Sequence, residues 1–111
     1  MKKDNLAYLR LILDAAQKVE RYISSMDLSS FSADQKTQSA VIMQLHVIGE
    51  MAKRVPDDMK QEIDILWKKM AGMRDMISHE YIDLELETIW KTAKNDVPVI
   101  EMRIGEYLKN R

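Results

Sequence analysis

The sequence "VIMQLHVIGEMAKRV", residues 41 to 55, decides the fold, because its apolar residues recur at the spacing of a helix. Two apolar rows make a wide apolar face, which predicts a central helix that is buried on two sides. Gly49 lies on or beside this face, and a glycine inside a helix costs about 1 kcal/mol. We therefore expect a close helix crossing at Gly49 that leaves no room for a Cβ atom. The two rows are Val41, Leu45, Ile48, Ala52 and Val55, and Met43, Val47 and Met51.

The residues before this segment also show helical spacing. Apolar residues at intervals of three or four predict a first helix over residues 2 to 27. The stretch "LSSFSAD", residues 28 to 34, breaks the pattern. Ser32 is expected to be the N-cap of the central helix, since Gln35 three residues later completes a capping-box signature. The central helix should then run from about residue 33 to Arg54.

Pro56 ends the central helix and opens a short helical turn, expected over residues 57 to 63. Asp64 is expected to cap the next helix, which should run to about residue 79 or 80. Asp83 is the expected cap of the helix after that. Pro98 either separates this helix from a last one or occupies the first turn of the last helix. The sequence therefore predicts an all-α, antiparallel four-helix bundle with an additional short helix.

The composition agrees with a single helical domain over residues 1 to 111. The chain contains only 3 Gly and 2 Pro, whereas folds rich in turns need more of both. It has no Cys, which excludes disulfides and thiolate metal sites and is typical of a reducing, cytoplasmic location. No signal peptide or membrane-spanning segment is expected. Its 9 Met and 2 Trp fall mostly on or beside apolar stripes, so we expect them mainly in the core.

The charge pattern limits the classes of function. The formal net charge of −1 argues against a broad, nonspecific nucleic-acid binder, so any nucleic-acid chemistry needs a local site. The basic pairs at 53–54 and 68–69 are either solvated helix faces or flank a phosphate track. "HEYID", residues 79 to 83, has Asp83 where a zinc-binding His-Glu-x-x-His motif needs its second histidine. We therefore expect no metal and no cofactor.

The segment "MRDMISHEY", residues 73 to 81, concentrates polar side chains at a helix end. Arg74 and Tyr81 lie within about 20° of each other around an ideal helix, and Ser78 lies on the same side. His79 lies about 140° away from Arg74. A site that joins Arg74 to His79 therefore needs either a distortion of the helix end or a second copy of the helix that faces the first.

The pattern Arg, four residues, His, one residue, Tyr resembles the signature of HEPN-domain proteins. It is closest to the HepT-like toxins of HEPN/nucleotidyltransferase toxin-antitoxin modules. "VIGEMAKRVP", residues 47 to 56, and "LWKKMAGMRDMISHEYIDLELETIW", residues 66 to 90, resemble segments of the same family. One departure is Asp75, where many members carry Asn. The resemblance extends over essentially the whole chain.

The resemblance implies a homodimeric, metal-independent endoribonuclease with two motifs that face each other across a cleft. Arg74 then stabilises phosphate charge and His79 moves the proton, while Asp75 orients either of them or positions the 2'-OH. The resemblance further implies that a cognate nucleotidyltransferase antitoxin attaches AMP to Tyr81. Lys53, Arg54 and Ser78 are candidate RNA contacts. The alternative function is a non-catalytic helical adaptor of a nucleotidyltransferase, which binds a nucleotide or a partner.

Overall fold

The computed structural model describes residues 5–80 and 83–111, apart from the side chain of Glu80, and these residues form helices and connecting turns without a strand. The predicted all-α class is confirmed. No helix in the described ranges is both long enough and apolar enough to cross a membrane. The helices are α1 (Asn5–Ile23), α2 (Leu28–Ser32), α3 (Gln35–Arg54), α4 (Asp57–Gln61), α5 (Trp67–Glu80), α6 (Leu86–Lys91) and α7 (Val97–Lys109), with a π-helical turn at Thr92–Asp96.

The start of the central helix α3 differs from the prediction. Its N-cap is Asp34, whose carboxylate accepts hydrogen bonds from the backbone N–H of Thr37 at 3.0 Å and from its hydroxyl at 2.7 Å. Ser32 is instead the last residue of the short helix α2, which Asp27 caps. This extra helix has a packing reason, because it carries the fully buried Phe31 into the core. The ring of Phe31 lies 5.3 Å from that of Trp90.

The predicted caps Asp64 and Asp83 are also wrong. Helix α5 begins at Trp67, whose indole N–H donates to the carbonyl oxygens of Lys60 and Ile63, both at 3.1 Å. These bonds tie the start of α5 to the last turn of α4 and to the segment that follows it. Helix α6 begins at Leu86 with Glu85 as its N-cap, and the preceding Leu84 packs against the core.

Pro98 lies in the first turn of α7, which is the second of the two predicted alternatives. Helix α6, the π-helical turn and α7 follow one another without a break over residues 86–109. Proline has no N–H, and its ring crowds the carbonyl four residues earlier. The wider turn accommodates this ring, and the N–H of Val97 reaches five residues back to the carbonyl of Thr92.

The core lies where α1 packs on both α3 and α7, and where α3 packs on α5. Helix α3 therefore touches two long helices, as its two apolar rows predict. Most of the methionines contribute to this core or pack against it, whereas Met43 and Met102 are exposed. The antiparallel four-helix arrangement, the single domain over residues 1–111 and the homodimer remain predictions.

The expected close crossing at Gly49 is present. A Cβ atom placed on Gly49 of α3 would lie 2.5 Å from the Cβ of Arg74 and 2.6 Å from the carbonyl oxygen of Met70, both on α5. Real Cβ atoms do not approach backbone atoms this closely, so any side chain here forces the two helices apart. The glycine is therefore required by the packing of α3 against α5.

We predict that Gly49→Ala destabilises the protein by about 1–3 kcal/mol, because overpacking at the crossing outweighs the gain in helix propensity. Gly72→Ala is the matched control, since Gly72 also lies in a helix but a Cβ atom placed on it would have no neighbouring atom within 4 Å. The control should gain up to about 1 kcal/mol. Urea unfolding monitored by circular dichroism measures both changes, and equal stabilisation of both variants would contradict the close crossing.

Candidate active site

Three side-chain contacts join α3 to α5 beside the Gly49 crossing, and we call them the polar ladder. Glu50 pairs with Arg74, Lys53 pairs with Asp75, and His46 lies against Ser78. From His46 to Lys53 along α3, the partners on α5 go from Ser78 back to Arg74 and Asp75. The two helices therefore run in opposite directions. The ladder gathers several residues of the sequence motif on one face of the molecule.

Arg74 is held from two sides. Its Nε donates to Oε1 of Glu50 at 2.7 Å, and its Nη1 donates to Oδ1 of Asp75 at 3.2 Å. The hydrogen bond to Glu50, followed by that to Asp75, raises the pKa of the Arg74 guanidinium above its ordinary value. The side chain is 31% exposed, so it is fixed in place and still reaches solvent. Among the described residues, no hydrogen bond occupies its Nη2, which leaves that nitrogen available to a phosphate oxygen.

Asp75 contacts the cations of the ladder. Its Oδ1 accepts a hydrogen bond from Nζ of Lys53 at 2.6 Å, besides the bond from Arg74. The bond from Lys53, and then that from Arg74, lowers the pKa of the Asp75 carboxyl. Of the roles expected for Asp75, orienting Arg74 matches these contacts. In the described part of the chain, no hydrogen bond or ion pair joins Asp75 to His79.

Glu50 is the residue that sequence reasoning missed. Its carboxylate binds Arg74 and also lies 3.5 Å from Nη2 of Arg54, one helical turn further along α3. Mainly because of the hydrogen bond from Arg74, the pKa of the Glu50 carboxyl is lowered. The local spacing indicates only the weak pair with Arg54. The stronger partner lies 24 residues away along the chain, so no short motif reveals it.

Within the described part of one chain, His79 does not join this network. Helix α5 is a regular α-helix through Glu80, so the predicted angular separation of Arg74 and His79 persists. His79 is exposed, and no hydrogen bond or ion pair links it to Arg74 among the residues that the structure describes. The helix end up to Glu80 is therefore not distorted so as to bring the two side chains together. The predicted modification site Tyr81 lies outside the described residues.

The candidate RNA contacts Lys53, Arg54 and Ser78 are all exposed, with Lys53 and Ser78 in the polar ladder and Arg54 beside it. Both cations are paired with acids, and Ser78 Oγ lies 3.3 Å from Nε2 of His46, within hydrogen-bonding distance. With Arg54 counted beside the ladder, three cations, Lys53, Arg54 and Arg74, lie against the two carboxylates of Glu50 and Asp75 in this part of the described structure. No group of three or more metal-binding side chains occurs in residues 5–79 and 83–111.

A family model described as "Ribonuclease HepT-like" matches residues 12–106 of this chain. The chain belongs to the ribonuclease HepT-like family. It is 37% identical to "Probable ribonuclease HepT" of Thermococcus cleftensis over 112 aligned positions, which cover 100% of this chain and 99% of the relative. It is 34% identical to "Putative RNase MJ0125" of Methanocaldococcus jannaschii, with 98% of this chain and 95% of the relative covered. No solved structure gives a significant match.

The HepT-like assignment confirms the resemblance deduced from the Arg-x4-His-x-Tyr motif, and it confirms that this chain belongs to a family of ribonucleases. The roles of the individual residues remain predictions. The contacts of the ladder allow these roles to be tested by single substitutions.

We predict that the ladder stabilises the protein above about pH 4.5 and loses this effect in acid. The pKa of Glu50 lies below its ordinary value of 4.5, so folding favours the charged carboxylate. Its contribution is present above that pH and disappears as pH falls through the lowered pKa. Melting temperatures of the wild type and Glu50→Gln should therefore differ most near pH 7 and converge towards pH 3.

Glu87→Gln is a suitable control for this experiment, because Glu87 forms an exposed pair with Lys91 on α6 and takes no part in the ladder contacts. Such a pair contributes little to stability. A gap between the wild type and Glu50→Gln that stays constant from pH 7 to pH 3 would show that the Glu50 charge does not act through Arg74.

Proposed function

We propose that this HepT-like protein is a metal-independent endoribonuclease, the toxin of a HEPN/nucleotidyltransferase module, and that it acts as a homodimer of antiparallel four-helix bundles. The observation that carries the proposal is Arg74, which two carboxylates hold at the α3–α5 crossing and whose Nη2 has no hydrogen-bond partner among the described residues. Arginine in a fixed position suits phosphate, because its charge is permanent and its donors match phosphate oxygens.

The proposed reaction uses the RNA's own 2'-OH as the nucleophile. His79 accepts the proton of this hydroxyl as its oxygen attacks the adjacent phosphorus, and imidazole is the commonest general base in enzymes. The bond from phosphorus to the 5'-oxygen breaks, and that oxygen takes up a proton from water, which leaves a 2',3'-cyclic phosphate on one fragment and a 5'-hydroxyl on the other. Arg74 stabilises the negative charge that builds up on the phosphate oxygens. Asp75 and Glu50 keep the guanidinium in position, while Lys53, Arg54 and Ser78 contact the neighbouring RNA backbone.

Two copies of the chain are needed for this chemistry. Helix α5 is regular through Glu80, so Arg74 and His79 of one copy point in directions about 140° apart. A second copy that faces the first brings the His79 of one subunit towards the Arg74 of the other. The regular helix end thus supports the dimer alternative over a distorted helix end.

Tyr81 is the proposed off-switch. Its phenolic oxygen attacks the α-phosphorus of ATP in the active site of the cognate nucleotidyltransferase, the phenolic proton is released, and pyrophosphate leaves. The adduct carries a bulky nucleoside and a negative phosphodiester two residues from His79. It therefore fills the cleft and repels an RNA phosphate.

One observation favours the second candidate function, a non-catalytic adaptor of a nucleotidyltransferase. Glu50 and Asp75 pair with both cations of the polar ladder, Arg74 and Lys53, which lowers the attraction for RNA. An adaptor binds its partner or a nucleotide without cleaving RNA. The two functions are therefore separated by a cleavage assay.

We predict that the purified wild type cleaves single-stranded RNA in EDTA and that His79→Ala and Arg74→Ala each lower the rate at least about 100-fold. Arg74→Lys should retain partial activity, because it keeps the charge but loses the planar donor arrangement. Lys91→Ala, an exposed cation on α6, serves as the control and should cleave normally. Undiminished cleavage by both alanine variants, with circular dichroism showing intact helices, would exclude the proposed chemistry.

Mixing the two inactive variants tests the shared site. A site built from Arg74 of one subunit and His79 of the other is intact once in each mixed dimer. Random mixing makes about half of the dimers mixed, so about a quarter of the wild-type activity should return after refolding the variants together. If each subunit holds a complete site of its own, no activity returns.

We predict that co-expression with the cognate nucleotidyltransferase adds the mass of AMP to the wild type and not to Tyr81→Phe. Tyr107→Phe is the control, because Tyr107 lies on α7, where its hydroxyl bonds Glu62. Intact-protein mass spectrometry measures the adduct, and the modified wild type should lose RNA cleavage. An adduct of equal yield on Tyr81→Phe would place the modification elsewhere.

A further inference from the structure

A groove between α3 and α5 continues the polar ladder beyond its His46–Ser78 end. It has a volume of about 430 Å³, within the range of roughly 300–1,000 Å³ that is usual for small-ligand sites. We call it the α3–α5 groove. Its lining residues are Ser39, Ile42, Met43, His46, Ile77 and Ser78.

The lining of the groove combines an apolar floor with a polar edge. Ile42 and Ile77 form buried parts of the floor, and Met43 stands at its mouth with 59% of its surface exposed. The exposed side chain of Met43 is apolar, so its contact with water is unfavourable. Its polarisable thioether can pack against the face of a flat ring. Ser39, His46 and Ser78 supply hydrogen-bond donors and acceptors along the edge. Within the described ranges, no Lys, Arg, Asp or Glu lines the groove.

We propose that the α3–α5 groove holds one unpaired nucleobase of the RNA, next to the phosphate that Arg74 binds. The inference rests on the proposed function, since it assumes that RNA lies along the ladder. It makes His46 and Met43 specificity-determining residues. Neither residue belongs to the Arg-x4-His-x-Tyr motif.

The separation of charges along the ladder supports this assignment. Lys53, Arg54 and Arg74, which suit phosphates, lie at one end, and the uncharged groove that suits a neutral base lies at the other. Ser78 follows Arg74 by four residues, a rise of about 6 Å along α5. Phosphate and base of one nucleotide are joined through a single ribose, which spans a distance of this order.

The chemistry of single-stranded RNA also fits the groove. Unpaired bases can leave the stack, lie against an apolar surface and form hydrogen bonds through their exposed edges. Met43 covers one face of such a base, while His46 and the two serines read its edge. Nε2 of His46 lies 3.3 Å from Oγ of Ser78, so these two edge groups are close enough together to contact the same base.

The competing occupant is an apolar side chain of a second protein subunit. A subunit contact at Met43 gives no base preference and appears as a change in oligomeric state when Met43 is truncated. The two occupants therefore differ in what they predict for the same variant.

The experiment is cleavage of a pool of single-stranded RNA with randomised sequence, followed by sequencing of the cut ends. The wild type should prefer particular bases at one position beside the cut. Met43→Ala and His46→Gln should reduce this preference about three- to tenfold, the effect of losing one contact or hydrogen bond, while cleavage itself continues. Met102→Ala is the matched control, because Met102 is an exposed methionine on α7 with 52% of its surface accessible.

Either of two results overturns the proposal. One is a base preference that Met43→Ala and His46→Gln leave unchanged, or a wild type that shows no base preference. The other is a Met43→Ala variant that becomes monomeric by light scattering, which assigns the groove to a protein contact. If the wild type cuts no RNA, the proposed function fails. The groove is then judged separately by whether oligonucleotides that differ at one base bind the wild type and Met43→Ala with unequal preference.

Discussion

The close approach of α3 and α5 at Gly49 is the constraint on which the site depends. The missing side chain allows the backbone of α5 at Met70 and Arg74 to lie against α3. This approach places Glu50 within 2.7 Å of Arg74 and Lys53 within 2.6 Å of Asp75. A larger residue at position 49 would separate the helices and lengthen these contacts. The geometry of the site therefore depends on a glycine that lowers the stability of its helix by about 1 kcal/mol.

The polar ladder lowers the net positive charge at the site and fixes the position of Arg74. Two carboxylates take up part of the positive potential that an RNA phosphate would otherwise meet. In return, Arg74 is held in one orientation before any ligand arrives, so binding loses less side-chain freedom. A fixed donor acts on the transition state without having to reorganise. The near-neutral composition of the chain and a local phosphate site are therefore compatible.

Some elements of the fold can be predicted from the sequence, whereas others depend on tertiary contacts. The apolar rows of α3 predict its central place, and the spacing within 64–80 predicts the helix that carries the motif. The predicted caps Ser32, Asp64 and Asp83 fail for a common reason, because tertiary contacts decide where the helices begin. Phe31, Trp67 and Leu84 each engage the core or a neighbouring helix end, and these contacts outweigh the preference of a single capping residue. The sequence leaves the role of Pro98 open, because its effect depends on whether the chain can form a wider turn before it.

By itself, the sequence determined the helical class and the family, and it predicts Arg74, His79 and Tyr81 as motif residues, because helical periodicity and short motifs are local properties of a chain. Only the tertiary structure decided that Glu50 holds Arg74, that Asp75 bonds Lys53 and Arg74, and that His46 meets Ser78 beside a groove. These pairs lie more than 20 residues apart or depend on which way a side chain turns at a crossing. Such contacts arise from the packing of two helices at Gly49, which no local pattern specifies.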